Sequence, residues 1–330
     1  MARPSVVIVC PPAESSGNGE SRTAIRWSEI LGDSYDVRTV SQWPDEAAAR
    51  DQLMIALHAT HSAESIAEWA AMRSPAKLAL LLTGSDLYRE IAADPSAKRS
   101  LDRAGSIVVL QELGLDALPA QHRAKARVIF PSAKPQEPLS KVRDKLRAVM
   151  VGHLRDVKSP ETYFDAARIL RQRMDIELHH VGRAQSEDWA ERARHTGAEC
   201  PAYEWHGELP PAETLAAIRQ SHALVHSSAM EGAPHVIMEA ICSGTPVLAS
   251  RVPGNMGMLG WDYEGYFPHG DSKALAHLLK VCRATQATDD PAASLLARLA
   301  AQCALRAPLF APDRERDAVL QLAKQLEESA

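Results

Sequence analysis

The sequence predicts an α/β protein made of two successive parallel-sheet units. Three observations carry that prediction. Short runs of β-branched and aliphatic residues recur along the chain, and most are continuously apolar rather than alternating, as parallel strands covered on both faces require. Patterns of helical period lie between most of them. The series breaks at residues 131–145, "PSAKPQEPLSKVRDK", a stretch rich in Pro, Ser and Lys and poor in large apolar side chains, which is a linker composition.

In the first half the expected strands are 5–10 "SVVIVC", 53–57 "LMIAL", 78–83 "LALLLT", 106–110 "SIVVL" and 127–130 "RVIF". In the second they are 147–152, 176–181 "IELHHV", 203–205 "YEW", 223–226 "ALVH" and 245–249 "TPVLA". Ser159 and Pro160 are the natural N-cap and first residue of a helix after the strand at 147–152. "PHVIMEAICS" reads as a helix with Pro234 near its start and Gly244 at its stop. The final segment, "RERDAVLQLAKQLEE", is an amphipathic helix with Ala318, Leu320, Leu322 and Leu326 among charges.

Composition excludes several classes. A chain of 330 residues, 45% apolar and 24% charged, is ordinary globular protein. A net charge of −5 gives nucleic acid no electrostatic footprint. The five cysteines at 10, 200, 242, 282 and 303 include no CxxC pair, which argues against a disulfide framework and a zinc site. "SVVIVC" is too short for a signal peptide, and no 18-residue apolar run follows, so a cytoplasmic location without a membrane partner is expected.

The second half carries the sharper chemistry. Arg155 and Lys158 fall in a strand-to-helix loop at a strand's carboxyl end, where open α/β sheets bind ligands. Two cations beside a helix start suit a phosphate; a solvated basic loop is the plain alternative. In "SSAMEGAPHVIMEA", Glu231 sits at a loop mouth, with backbone N–H groups of Gly232, Ala233 and His235 beside it. Glu239 lies about two turns into the following helix, among apolar neighbours. A carboxylate there needs a partner. It can accept from a vicinal diol, or it can pair with a core arginine while Glu231 serves the helix dipole.

In the first half, "VCPPAESSGNGESRTAIRW" follows the first strand. Gly17 and Gly19 allow a tight loop, and Ser21 can cap the helix after it. Arg22 and Arg26 share a face of that helix, so with Asn18, Thr23 and the loop amides they can hold an anion. A lid with solvated arginines is the other reading. Two more strand ends carry polar groups: "ALHATHSAESI", with His58, and "LLTGSDLYREI", with Thr83, Gly84 and Asp86. A histidine at a strand end serves either as a hydrogen-bonder or in chemistry.

Two resemblances emerge from these residues. The E-x7-E pair, with "VGHLRDVKS", "WHGEL", "GTPVLAS" and "VPGN" across roughly residues 146–260, resembles the nucleotide-sugar half of family-4 GT-B glycosyltransferases. The resemblance implies that Arg155 and Lys158 hold a diphosphate, Glu231 meets the donor sugar and Glu239 the ribose. Gly207, Glu208, Gly232, Ala233 and His235 complete the implied donor set. His153 and Ser159 depart from the usual arginine and glycine, and Thr83 stands where H-G-x-D would place a histidine. Across nearly the whole chain, "GNGESRTAIRW", "ALHATHSAESI", "LTGSDLYREI" and "VVLQELGLDALP" resemble the selenosugar synthases of selenoneine biosynthesis, the SenB family.

That resemblance implies a GT-B architecture: two Rossmann-like domains facing a cleft, with the C-terminal helix crossing back to the first. The implied domains are 1–143, with about 308–330, on the acceptor side, and 144–307 on the nucleotide-sugar side. The implied reaction joins the sugar of UDP-N-acetylglucosamine or UDP-glucose to the selenium of selenophosphate, releasing UDP and phosphate. Gly17, Asn18, Gly19, Arg22, Thr23, Arg26, Thr83 and Gly84 would bind the acceptor, and Glu231, His58 and Asp86 would act catalytically. No metal or other cofactor is expected, and a functional link to the next enzyme of the pathway follows. Cys10 is either a selenium relay or a small buried hydrophobe. A GT-B transferase with a hydroxyl or thiol acceptor, a UDP-sugar epimerase and a non-catalytic UDP-sugar sensor are the alternatives.

Overall fold

A computed structural model describes residues 3–11, 19–288 and 290–329. Gly17 and Asn18, expected at the acceptor, lie outside the described residues. The chain divides into two compact units. The first comprises Met1–Ser132, Glu231–Ala233 and Pro312–Ala330; the second comprises Ala133–Met230 and Pro234–Ala311.

The first unit holds a parallel sheet of β1 (Ser5–Val9), β2 (Asp36–Val40), β3 (Leu53–Leu57), β4 (Leu78–Leu81), β5 (Ser106–Val109) and β6 (Ala126–Val128), ordered β2-β1-β3-β4-β5-β6. Every residue of β1, β3, β4 and β5 is buried. Two apolar layers account for this. Val7, Met54, Leu80 and Ile107 pack with Trp43, Trp69 and Leu101 on one face. Val6, Ile8, Ile55 and Leu81 pack with Trp27, Leu31 and the C-terminal helix on the other. Successive strand residues alternate faces, so a strand covered on both must be apolar throughout.

The second unit holds β7 (Leu146–Val151), β8 (Ile176–Val181), β9 (Tyr203–Trp205), β10 (Ala223–His226), β11 (Val247–Ser250) and β12 (Tyr266–Phe267), ordered β12-β11-β10-β7-β8-β9. Counted within the unit this is the 3-2-1-4-5-6 Rossmann order, and every pairing is parallel. Both sheets reverse direction once: between β1 and β3 in the first, and between β7 and β10 in the second. The architecture is GT-B, with two Rossmann-like domains.

Two strands escape the sequence pattern. β2, "DVRTV", is an edge strand whose residues are exposed or half-buried, so it lacks the continuous apolar signal. β12 has only two residues at the opposite edge of its sheet. Ser21, expected as a cap, lies inside the helix Gly19–Gly32, because that helix starts two residues earlier. No helix among the described residues is long and apolar enough to cross a membrane.

The C-terminal helix Pro312–Glu328 belongs to the first unit and buries Val319, Leu322, Ala323 and Leu326 against β1, β3 and Trp27. One buried carboxylate fixes it. Glu315 is 2% exposed. It accepts from Arg26 Nε at 2.6 Å, Trp27 Nε1 at 3.0 Å, and the Ser132 amide and hydroxyl at 2.9 and 2.6 Å. Removing one partner of a buried pair leaves the other uncompensated, at about 3–5 kcal/mol. Glu315→Gln keeps the volume and loses the charge that four donors face. It should lower the thermal unfolding midpoint by at least about 5 °C, read by differential scanning calorimetry. An unchanged midpoint would show that the helix is held by apolar packing alone.

Candidate functional site

In an open parallel sheet, the loops on either side of the point of reversal diverge, and a ligand fits at the strands' carboxyl ends. In the second unit those loops follow β7 and β10. The loop after β7 is stitched to both neighbours. On one side Leu154 bridges Ala184, and its N–H donates to Arg183 O at 2.9 Å. On the other, the Ser227 hydroxyl donates to Lys158 O at 2.9 Å, and Ala229 N–H donates to Val157 O at 2.8 Å.

This stitching gathers charge. Burial holds the His153 imidazole below its ordinary value; Glu208 opposes that shift, and the cations Arg183, Arg155 and Lys158 deepen it. His153, Arg155, Lys158, Arg183 and Glu208 are therefore electrostatic neighbours at one sheet edge. A cationic set with a neutral imidazole at strand ends is suited to a multiply charged anion such as a diphosphate. Arg183 was not anticipated, because it lies after a different strand from the other two cations.

Ser159 departs from its expected role. It sits at the N-cap of the helix Pro160–Leu170 with φ 47° and ψ 54°, and its side chain makes no capping bond. The hydroxyl lies instead 2.8 Å from His269 Nε2. The left-handed backbone explains why glycine suits this position, and the bond to His269 holds the serine in it. Gly182, at the end of β8, is a second constraint. At φ +149°, an added Cβ would come 2.0 Å from Gly152 O. Gly207 also has positive φ, at 70°, and its carbonyl accepts from Gly182 N–H at 2.7 Å.

Glu239 lies half-buried on the helix His235–Cys242, which follows β10, with His235 as that helix's first residue. Burial, and then the nearby Glu239 carboxylate, push the Cys242 thiol up to about 11. Glu231, Gly232 and Ala233 group with the first unit, where a Cβ on Gly232 would come 2.5 Å from Thr83 O.

At the first unit's reversal point, the residues after β1, β3 and β4 converge. Asp86 is 0% exposed and accepts from Thr83 N at 2.8 Å, Leu87 N at 2.9 Å and Ala59 N at 3.0 Å. His58 is also 0% exposed, at φ 72°, with Nε2 3.0 Å from Ser85 Oγ and its ring stacked on His61 at 3.7 Å. Both were expected in catalytic roles. Their polar atoms hydrogen-bond inside the unit, where they tie the loops after β3 and β4 together.

A further titratable group stands here, Glu20, which no sequence motif marked. It sits in the first turn of the helix after β1. Burial and then Asp86 push its carboxyl up to about 7, against a lowering hydrogen bond from Thr83. The Thr83 hydroxyl lies 3.0 Å from Asp86 Oδ1 and 3.3 Å from Glu20 Oε1. Thr23 is buried and donates to Gly19 O at 3.1 Å, and Arg22 is exposed. Arg26, expected to face an acceptor, spends its Nε on Glu315.

Comparisons with known proteins bear on this geometry. Residues 132–282 match the family described as glycosyl transferases group 1. That segment spans β7 to β12 and carries the cationic edge. The fold as a whole is shared with solved glycosyltransferases. Sucrose-phosphate synthase (tll1590) from Thermosynechococcus elongatus is 18% identical with a TM-score of 0.75, covering 98% of this chain and 99% of that one. A glycosyltransferase from Rickettsia africae ESF-5 is 13% identical with a TM-score of 0.72, covering 99% and 100%. Anabaena Alr3699/HepE, solved with UDP and glucose, is 16% identical with a TM-score of 0.67, covering 99% of each. A comparison with curated protein sequences finds no match.

The two backbone constraints predict opposite outcomes. Gly182→Ala must displace the Gly152 carbonyl, because a 2.0 Å contact cannot be absorbed by a side chain. It should lower the thermal midpoint and open the loop after β7 to limited proteolysis. Ser159→Gly relieves a left-handed residue and should leave both readouts within error of wild type. Equal behaviour of the two variants would contradict the stitched-loop description.

Proposed function

We propose that the protein is a glycosyltransferase that moves a sugar from a UDP-sugar to selenophosphate. The observation that carries the donor half is the gathering of His153, Arg155, Lys158 and Arg183 at the reversal point of a Rossmann sheet, within the segment that matches the group 1 family. That Anabaena Alr3699/HepE was solved with UDP and with UDP-glucose supports the same donor class. The selenium half rests on the whole-chain resemblance of the N-terminal segments.

In this reading Arg155 and Lys158, with Arg183, neutralise the diphosphate as the bond between the anomeric carbon and the UDP oxygen breaks. They stabilise the leaving charge. Glu231 orients the sugar, and Glu239 accepts from the ribose hydroxyls. Selenium supplies the electron pair for the new C–Se bond. Water then cleaves the P–Se bond, so UDP-sugar, selenophosphate and water give selenosugar, UDP and phosphate. A polarizable selenium needs little general-base help, which suits a threonine at position 83. No step here is assigned to a metal.

Glu20 decides how an anionic acceptor fares beside Asp86 and Glu90. With a value near 7 it is protonated below that pH and can donate to the anion; above it, it becomes a third carboxylate that repels one. A second reading comes from the same group: an ionised Glu20 can serve as general base to a hydroxyl acceptor.

Mass spectrometry on the protein with a UDP-sugar and selenophosphate generated in situ tests the proposal. UDP release that depends on selenophosphate, with a selenium isotope pattern on the hexose, is the expected result. Release with sugars alone, indifferent to selenium, overturns it in favour of a hydroxyl acceptor. The pH dependence adds a sign. For selenophosphate, kcat/KM should fall as pH rises through about 7, and Glu20→Gln should flatten that limb. A rate that instead rises through that pH and is abolished in Glu20→Gln marks general-base chemistry.

A further inference from the structure

β9 is the edge strand of the second sheet and pairs in parallel with β8, His179 facing Glu204 across the ladder. His206 follows Glu204 by two residues. Cross-strand partners share a sheet face, as do residues two apart, so His179, Glu204 and His206 stand on one face. His179 Nδ1 and His206 Nε2 are 2.8 Å apart. Their ring planes differ by 11° with centroids 5.1 Å apart. That centroid distance is the nitrogen separation plus a ring radius at each end, so the rings meet edge to edge with two nitrogens opposed. Two opposed imidazole nitrogens share either a proton or a cation.

We propose that this edge binds a divalent cation of the zinc class through His179 Nδ1, His206 Nε2 and the Glu204 carboxylate. One ligand atom from each residue lies within 4.8 Å of the others. Two imidazoles and a carboxylate form a donor set that zinc takes, with a fourth position left to water. Bonds of about 2.0–2.1 Å at a tetrahedral angle put two nitrogens roughly 3.4 Å apart, so the nitrogens need to separate by about 0.6 Å and each ring to turn by about 35° for both lone pairs to meet at the ion. The Glu204 side chain is 66% exposed and can turn toward the ion.

A further contact fits the role. Among the described residues His179 Nε2 is buried without a hydrogen-bond partner, and it faces Glu177 Oε2 at 3.7 Å. A metal on Nδ1 fixes the ring proton on Nε2, where a carboxylate beyond it orients the ring. Glu177 is itself held by Lys145 at 2.8 Å and Arg147 at 3.1 Å, so these two cations are matched to a carboxylate beside the site. The absence of CxxC spacing excludes a cysteine zinc site, not one assembled from two neighbouring strands.

A second His and carboxylate group, Glu20, His58 and His61, is less suited. His58 Nδ1 accepts from the N–H groups of Thr60 and His61, and Nε2 faces Ser85 Oγ, so both ring nitrogens are in use. The bound ion would clamp the edge strand β9 to β8, the strand that pairs with β7, and its effect is on the stability of the second unit.

Calorimetric titration of zinc chloride into the chelator-treated full chain tests this. The expected result is one ion per chain, with affinity at least tenfold weaker in His179→Ala and His206→Ala, weakened also in Glu204→Gln, and unchanged in His61→Ala. Cobalt should give the absorption of a tetrahedral site in the wild type and lose it in His206→Ala. Glu204→Gln alters only an exposed side chain, so it remains informative if a histidine variant misfolds. Absence of binding, equal binding by wild type and His206→Ala, or loss that follows His61→Ala each overturns the proposal.

Discussion

A parallel sheet that reverses its strand order must send two neighbouring loops in opposite directions, and what the chain places in that gap sets its chemistry. Both units obey this constraint. In the second, the gap between β7 and β10 is bridged by Ser227 and Ala229, which hold the turn carrying Arg155 and Lys158. In the first, the gap between β1 and β3 is framed by Glu20, Thr83, Asp86 and His58. One topology thus yields a cationic edge in one unit and an acidic, histidine-lined edge in the other.

The two edges are braced differently. The cationic one depends on backbone: Gly182 lets a carbonyl pass where a Cβ cannot, and Ser159 is bent into the left-handed region. The acidic one depends on buried polar side chains. Asp86 serves three amides and a hydroxyl, and Glu315 draws the C-terminal helix to Arg26, Trp27 and Ser132. A buried carboxylate that satisfies several donors fixes the position of each, because every misplacement leaves a group unpaired. Asp86 and Arg26, both in motifs the sequence singled out, are held in this way.

Most of the fold was legible because a two-sided buried strand must be apolar, and that signal is local. β2 was not legible, since an exposed edge strand carries Asp36, Arg38 and Thr39 without penalty. Arg155 and Lys158 could be found from their loop position alone. Glu208 was named only through the resemblance, and Arg183 was not named at all, because what joins them to His153 is the pairing of β7, β8 and β9 rather than their spacing. Glu20 was hidden for a related reason: an acidic residue in a helix's first turn is ordinary, and what makes it unusual is its burial and then Asp86, brought in from the loop after another strand. The serine at 159 looked like a cap because sequence shows the residue type and not its backbone angle.

The central claim is that the edge between β7 and β10 holds a nucleoside diphosphate through Lys158 and Glu239. Calorimetric titration of UDP into wild type, Lys158→Ala and Glu239→Ala tests it most directly. Loss of a charged hydrogen bond in a partly buried site is worth roughly 1.5–3 kcal/mol, so each variant should bind UDP about tenfold or more weakly. UDP affinity unchanged in both would contradict the account.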